Sequence, residues 1–190
     1  MPPYGITGLG VWLAHTGALE WSAMMTAEEV IRIMDALRNA RIPTWLDGGW
    51  GVDALLGEQT REHDDLDLVV GLDTVDAALE ALRPYGYSMG LDERPTRLVL
   101  EASSHQRIDL HTVIFDSEGG GVQHLQDGRS YRYPPQGFAA IGQVGGRRLP
   151  CLTPEVQLEC HMGYEPTDTD RRDVGFLVER FGLRLPKTYR

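Results

Sequence analysis

The stretch Trp45–Val70, WLDGGWGVDALLGEQTREHDDLDLVV, joins a Gly48-Gly49 turn to two aspartates, Asp65 and Asp67, set one residue apart in an apolar run. Thr44-Trp45-Leu46 reads as a short buried strand running into the glycines. Trp50 to Leu56 reads as a short helix closed by Gly57, and Leu66 to Val70 as a strand stopped by Gly71. Residues i and i+2 of a strand share a face, roughly 6.6 Å apart at ~3.3 Å per residue, so Asp65 and Asp67 point the same way. Two anions on one face of an apolar strand repel each other and lose hydration unless a cation sits between them. Hard oxygen ligands with open coordination positions suit Mg²⁺, completed by water and substrate phosphates. A glycine pair between a strand and a helix start lets backbone amides approach phosphate oxygens with no Cβ in the way.

Upstream, Thr26-Ala27-Glu28-Glu29 has the form of a capping box, with Thr26 and Glu29 as reciprocal caps. Val30, Ile33, Met34 and Leu37 follow at helical spacing, and Pro43 lies beyond the helix end. Downstream, Val75, Leu79 and Leu82 give the residues from Thr74 to Arg83 an amphipathic helical face that crosses back over the sheet. Arg97 to Ala102 and Arg107 to Phe115 alternate like an antiparallel strand pair. In the second of these, Asp109 and His111 share one face, and Ile108 and Leu110 the other. If that strand lies beside the first, Asp109 completes a three-carboxylate cluster. Two ions about 3.5–4 Å apart could then hold an attacking and a leaving oxygen, with Asp109 placed to take a proton.

The remainder bounds the architecture. Ser117 to Gly146 is rich in Gly, Pro and polar residues, reads as loops and short edge strands, and has a hairpin turn at Gly145-Gly146. Thr153-Pro154 starts a helix with Pro at its first position. A last helix around Asp170 to Phe181 buries Val174, Leu177, Val178 and Phe181. The expected fold is α+β, a small mixed sheet flanked by helices. Residues 1–25 form an N-terminal extension, 26–152 the core, and 153–190 a helical segment packed on it. Trp12, Leu13 and Trp21 have a packing role on the domain or a partner subunit, unless Met24-Met25 marks the natural start.

A formal net charge of -10 argues against a general nucleic-acid binder, which needs cationic surface to replace phosphate counterions, and suits a small cationic substrate. Cys151 and Cys160 show no metal-ligand spacing and read as free thiols in a reducing, cytoplasmic setting. The first two dozen residues lack a basic n-region and an apolar run long enough to cross a bilayer.

The glycine turn, the acidic pair and the third strand aspartate together resemble the nucleotidyltransferase superfamily that includes DNA polymerase β. Within it, Leu46-Asp47-Gly48-Gly49-Trp50-Gly51-Val52-Asp53, Gly57-Glu58-Gln59-Thr60-Arg61-Glu62-His63 and Asp65-Leu66-Asp67 look like the short, type A lincosamide nucleotidyltransferases. Arg94-Pro95 with Arg97, Asp109 with His111, and His161 with Gly163-Tyr164-Glu165 look similar too, so the likeness spans about residues 26–180. Aminoglycoside adenylyltransferases share the Gly-Gly-Trp and Thr-Arg-x-His-Asp-Asp-x-Asp parts. The resemblance implies a polymerase β-like fold, a homodimer, and transfer of AMP or another NMP from an NTP, ATP by expectation, to a drug hydroxyl. It assigns Mg²⁺ to Asp65 and Asp67, and makes Asp109 both metal ligand and candidate base.

Each residue also has a plainer reading. Asp65 and Asp67 could be a solvated edge pair. Arg61 is either a triphosphate contact or a surface ion-pair partner of Glu62 or Asp64. His63, His111 and His161 are proton carriers or satisfied core histidines, with the strongest functional case at His111. Asp170 to Asp173 reads as a solvated helix face. The acceptor is a lincosamide, an aminoglycoside second; the rival class is a non-catalytic nucleotide- or ligand-binding protein of the same fold.

Overall fold

A computed structural model describes residues 24–190, so the readings placed on Trp12, Leu13 and Trp21 lie outside the described residues. In chain order the elements are α1 (Ala27–Asn39), β1 (Thr44–Leu46), α2 (Gly48–Leu56), β2 (Asp65–Gly71), α3 (Val75–Leu82), β3 (Tyr87–Glu93) and β4 (Arg97–Ala102). There follow β5 (Arg107–Phe115), β6 (Gly121–His124), β7 (Ser130–Tyr133), β8 (Ala140–Val144), β9 (Arg147–Cys151), α4 (Pro154–Cys160) and α5 (Asp168–Phe181). The sheet runs β3-β4-β5-β2-β1-β9-β8, with the β6–β7 hairpin paired to the far end of β5. It is mixed: β2 runs parallel to β5, while β1 is antiparallel to β2 and parallel to β9. The fold is α+β, a mixed sheet flanked by helices.

Strand alternation divides the sheet into two unlike faces. Leu66, Leu68 and Val70 of β2, Ile108 and Leu110 of β5, and Leu98 and Leu100 of β4 point into the main core under the helices. Each such side chain, fully buried, contributes about 1.5–3 kcal/mol relative to exposure. α1 closes this core with Val30, Ile33, Met34 and Leu37, as its spacing predicts. The opposite face carries a smaller core of Val69, Val113, Tyr133, Leu152 and Val156. Trp45 seals it, its ring tilted against that of Phe138 at 4.8 Å and its indole N–H donating to the Phe138 carbonyl at 2.9 Å. Nearer the start of β2 and β5, that second face turns polar.

Several local expectations change. Thr26 accepts from the Glu29 amide, but the Glu29 carboxylate turns to Arg32 and Tyr87 instead of closing the capping box. α2 starts at Gly48, two residues before Trp50, because Asp47 caps it and accepts from the Gly48 amide. β3 is an unanticipated edge strand, with only Tyr87 buried and little alternation to reveal it. In α5, Val174 and Leu177 are buried, but Phe181 in the last turn is exposed. Cys151 and Cys160 are both free. No described helix is long and apolar enough to cross a membrane.

Candidate active site

The parallel pairing of β2 with β5 sets Asp67 directly beside Asp109 and Val69 beside His111. One ligand atom each from Asp67, Asp109 and His111 lies within 4.8 Å of the others. His111 Nε2 sits 3.3 Å from Asp67 Oδ1, and its Nδ1 sits 3.2 Å from Gln123 Nε2. Gln123 Oε1 in turn accepts from the buried Tyr133 hydroxyl at 2.8 Å. Asp109 accepts from Arg97 through Oδ2 at 2.7 Å, while its Oδ1 is buried and has no hydrogen-bond partner. Asp65 lies outside this triplet, half-buried at the start of β2.

The electrostatics follow from crowding four acids into one place. Burial raises Asp47, Asp65 and Asp109 above the ordinary carboxyl range. The charge of Asp67 adds to the rise in all three, and at Asp109 the nearby His111 and Arg97 pull the other way. Burial alone would lower His111, but the hydrogen bond and charge of Asp67, helped by Asp47 and Asp109, raise it to about 9. A protonated ring keeps the same neighbours if the Gln123 amide turns its oxygen to Nδ1. The Arg97 guanidinium and the His111 imidazole thus sit directly against the Asp109 and Asp67 carboxylates. An unpartnered buried carboxylate oxygen beside a second carboxylate and an imidazole is a donor set that fits a divalent cation.

The glycine turn is built against this cluster. Gly48 has φ +55°, and a Cβ there would run into the Asp67 carboxylate. A Cβ on Gly49 would meet the side chains of Arg61 and His63. The α2 N-terminus therefore approaches Asp67 because Gly48 lacks a side chain, and Gly49 gives Arg61 and His63 the same clearance. Asp47, Gly48, Gly49, Arg61, Asp67 and His111 line one cleft of about 620 Å³, whereas Asp65, Asp109 and His63 lie outside its lining. Its other walls come from the β6–β7 turn, from Tyr131 with Glu159, and from Tyr164 and Asp173 beyond α4.

Arg61 lines the cleft, yet its ion-pair partner is neither Glu62 nor Asp64. Its Nη2 donates to Asp173 Oδ2 at 3.0 Å, and Asp173 is buried rather than part of a solvated face. His63 is structural: its Nε2 is 2.6 Å from Asp53 Oδ2, and both side chains are buried. His161 is buried, with Nδ1 2.8 Å from the Gln157 carbonyl. Arg97 and Asp47 stand in the family-like motifs of the sequence without a role assigned to either, and Gln123 carried no signal there.

A family model described as Aminoglycoside-2''-adenylyltransferase matches residues 29–177. The chain belongs to this family. A lincosamide resistance protein of Staphylococcus haemolyticus is 31% identical over 150 residues, covering 79% of this chain and 92% of that protein. A 2''-aminoglycoside nucleotidyltransferase of Escherichia coli is 49% identical over 37 residues, 20% of this chain and 21% of that one. The lincomycin-bound lincosamide antibiotic adenylyltransferase LnuA superposes with TM-score 0.72 at 31% identity, over 81% of this chain and 97% of that one. ANT(2'')-Ia with adenylyl-2''-tobramycin gives TM-score 0.68 at 18% identity, over 82% and 89%, a likeness of fold. This family member is an enzyme, a nucleotidyltransferase, as its relatives are.

Proposed function

We propose that this enzyme transfers AMP from ATP to a hydroxyl of a small, amine-bearing antibiotic, a lincosamide. The observation that carries the reading is the Asp67–Asp109–His111 cluster, with Asp67 set against Gly48 and lining the cleft together with His111. The lincosamide resistance relative, matched over most of both chains, supports the acceptor class. An aminoglycoside is the second reading, favoured by the family model.

In this reading the amides at the start of α2 and the Arg61 guanidinium hold the triphosphate. Asp65, Asp67 and Asp109 hold Mg²⁺, two ions when full, which supplies charge stabilisation for the phosphoryl oxygens. Asp109, its carboxyl raised by burial, accepts the proton of the acceptor hydroxyl. The acceptor oxygen bonds to the α-phosphorus, the bond to the β-phosphate bridging oxygen breaks, and pyrophosphate leaves. Positioning and electrostatic stabilisation supply most of the rate. The acidic chain suits a cationic acceptor, and the same reading places a homodimer in the cytoplasm, acting on no nucleic acid and no membrane. Residues 26–152 form its catalytic core and 153–190 its helical wall.

The test is incubation with ATP, Mg²⁺ and either lincomycin, clindamycin or a panel of aminoglycosides, read by mass spectrometry. A mass gain of one AMP on a lincosamide is expected. Gain on aminoglycosides alone would move the acceptor to the second reading, and nucleotide binding without any product would sink the enzyme reading.

A further inference from the structure

Arg97 on β4 pairs in register with His111 on β5, and its guanidinium spans two carboxylates. Nη1 donates to Asp109 Oδ2 at 2.7 Å and Nε donates to Glu93 Oε2 at 2.9 Å. Glu93 Oε2 also accepts from Gln126 Nε2 at 2.6 Å. Gln126 belongs to the turn between β6 and β7, a wall of the cleft. A chain of side chains thus runs from that wall through Glu93 and Arg97 to the third carboxylate of the cluster. It draws on β3, β4, β5 and the β6–β7 turn. Arg97 occupies one oxygen of Asp109 and leaves the other, Oδ1, buried and unpartnered. A planar guanidinium held on two sides fixes the orientation of a carboxylate more firmly than a rotating ammonium does.

We propose that Arg97 is a positioning residue for Asp109. It pins the carboxylate through Oδ2 so that Oδ1 stays available to the site, and the Glu93–Gln126 contact ties that pose to the cleft wall. The proposal rests on the reading of Asp67 and Asp109 as metal carboxylates. Outer partners that orient ligating carboxylates typically change metal affinity or activity by about 10–100-fold when removed.

The experiment titrates Mn²⁺ alone, followed by EPR, into the full-length wild type, Arg97→Gln, Arg97→Lys, Glu93→Gln and Asp67→Asn, with steady-state kinetics beside it. Arg97→Gln should weaken Mn²⁺ binding about 10–100-fold and lower kcat by a similar factor. Its KM for the nucleotide should stay within about threefold, the pattern of a lost transition-state arrangement rather than a lost substrate contact. Arg97→Lys should recover part of both losses by keeping the Asp109 contact without the bridge. Glu93→Gln should give a smaller loss in the same direction.

Wild-type Mn²⁺ affinity in Arg97→Gln would overturn the proposal. So would a raised nucleotide KM at unchanged kcat, which would make Arg97 a phosphate contact. If Arg97→Gln fails to fold by circular dichroism, wild-type Mn²⁺ affinity in both remaining variants of the bridge overturns it equally. Mn²⁺ binding lost in Asp67→Asn but indifferent to Arg97 sinks this proposal alone. Absence of nucleotidyl transfer in the wild type, with the expected order of Mn²⁺ affinities intact, sinks the functional reading and leaves this one standing.

Discussion

Among the described residues, two aspartate–histidine pairs are built from the same chemical parts and left in opposite states. Asp53 and His63 are each 3% exposed and meet at 2.6 Å, with the His63 ring 4.6 Å from that of Trp50. Both Asp53 oxygens are used, since Oδ1 also accepts from the amide and hydroxyl of Thr60. Asp67 and His111 are about a quarter exposed, meet at 3.3 Å, and stand beside an Asp109 oxygen with no partner. The first pair closes the loop between α2 and β2, and its capacity is spent on that loop. The second keeps capacity in reserve and faces a cleft. Between these two pairs, unspent hydrogen-bonding capacity marks the carboxylates that the proposed function uses, and Asp173 Oδ1 at the cleft wall is likewise without a partner.

Exchanging the losses between the two pairs would break this comparison. Asp109→Asn should lower kcat roughly 10²–10⁴-fold, the range of a positioned proton acceptor, while leaving the melting temperature near wild type. Asp53→Ala should do the reverse, costing about 3–5 kcal/mol in urea unfolding because it strands buried partners, with turnover per folded molecule little changed. Comparable activity losses in both would erase the distinction. Gly48→Ala sharpens it further, because a left-handed backbone and a Cβ pressed on the Asp67 carboxylate strain the working pair alone. About 1–3 kcal/mol of strain is expected, together with a fall in kcat that the melting curve does not explain.

The parts of this arrangement that were legible in the sequence are local ones. Alternation in Leu66 to Val70 and Arg107 to Phe115 marks strands whose apolar residues bury on one face, which leaves Asp67 and Asp109 together on the other. The glycine turn is legible because Gly48 needs a backbone conformation and a clearance that side chains deny. The burial of Asp173 was not legible, since its partner Arg61 is 112 residues away and nothing in the local pattern of α5 shows it. The Arg97–Asp109 bridge was hidden for the same reason: only the pairing of β4 with β5 brings the two side chains together. Phe181 follows the apolar spacing of α5 but stands exposed in its last turn, since α5 packs mainly on α2 and α4.

Protonation offers a smaller probe of the working pair. The His111 imidazole is raised from 6.5 to about 9, so the folded state binds its proton more tightly than the unfolded chain does. Its contribution is full below about pH 6.5 and is lost as pH rises through about 9. The raised carboxyls of Asp47, Asp65 and Asp109 act in the same direction, starting from their ordinary value of 3.8. Urea unfolding in EDTA should therefore show stability falling by at most about 3 kcal/mol between pH 6.5 and 9.5 from His111. His111→Asn should flatten that fall. A slope unchanged in His111→Asn would show that the pair is not charge-coupled.

The smallest effect belongs to Arg61, which touches both comparisons because it packs beside His63 and lines the cleft. Its contact with Asp173 joins α5 to the loop before β2, and Arg172 reinforces the join by donating to the Thr60 carbonyl at 3.2 Å. A purely structural arginine would make Arg61→Ala and Asp173→Asn equivalent, each costing about 1–2 kcal/mol and neither altering the kinetics of the folded enzyme. An arginine that also holds phosphate separates them. Arg61→Ala should then raise the nucleotide KM about tenfold, a loss near 1.4 kcal/mol, whereas Asp173→Asn leaves Arg61 in place and KM within about threefold. Equal KM values in the two variants would return Arg61 to the structural side, beside Asp53 and His63.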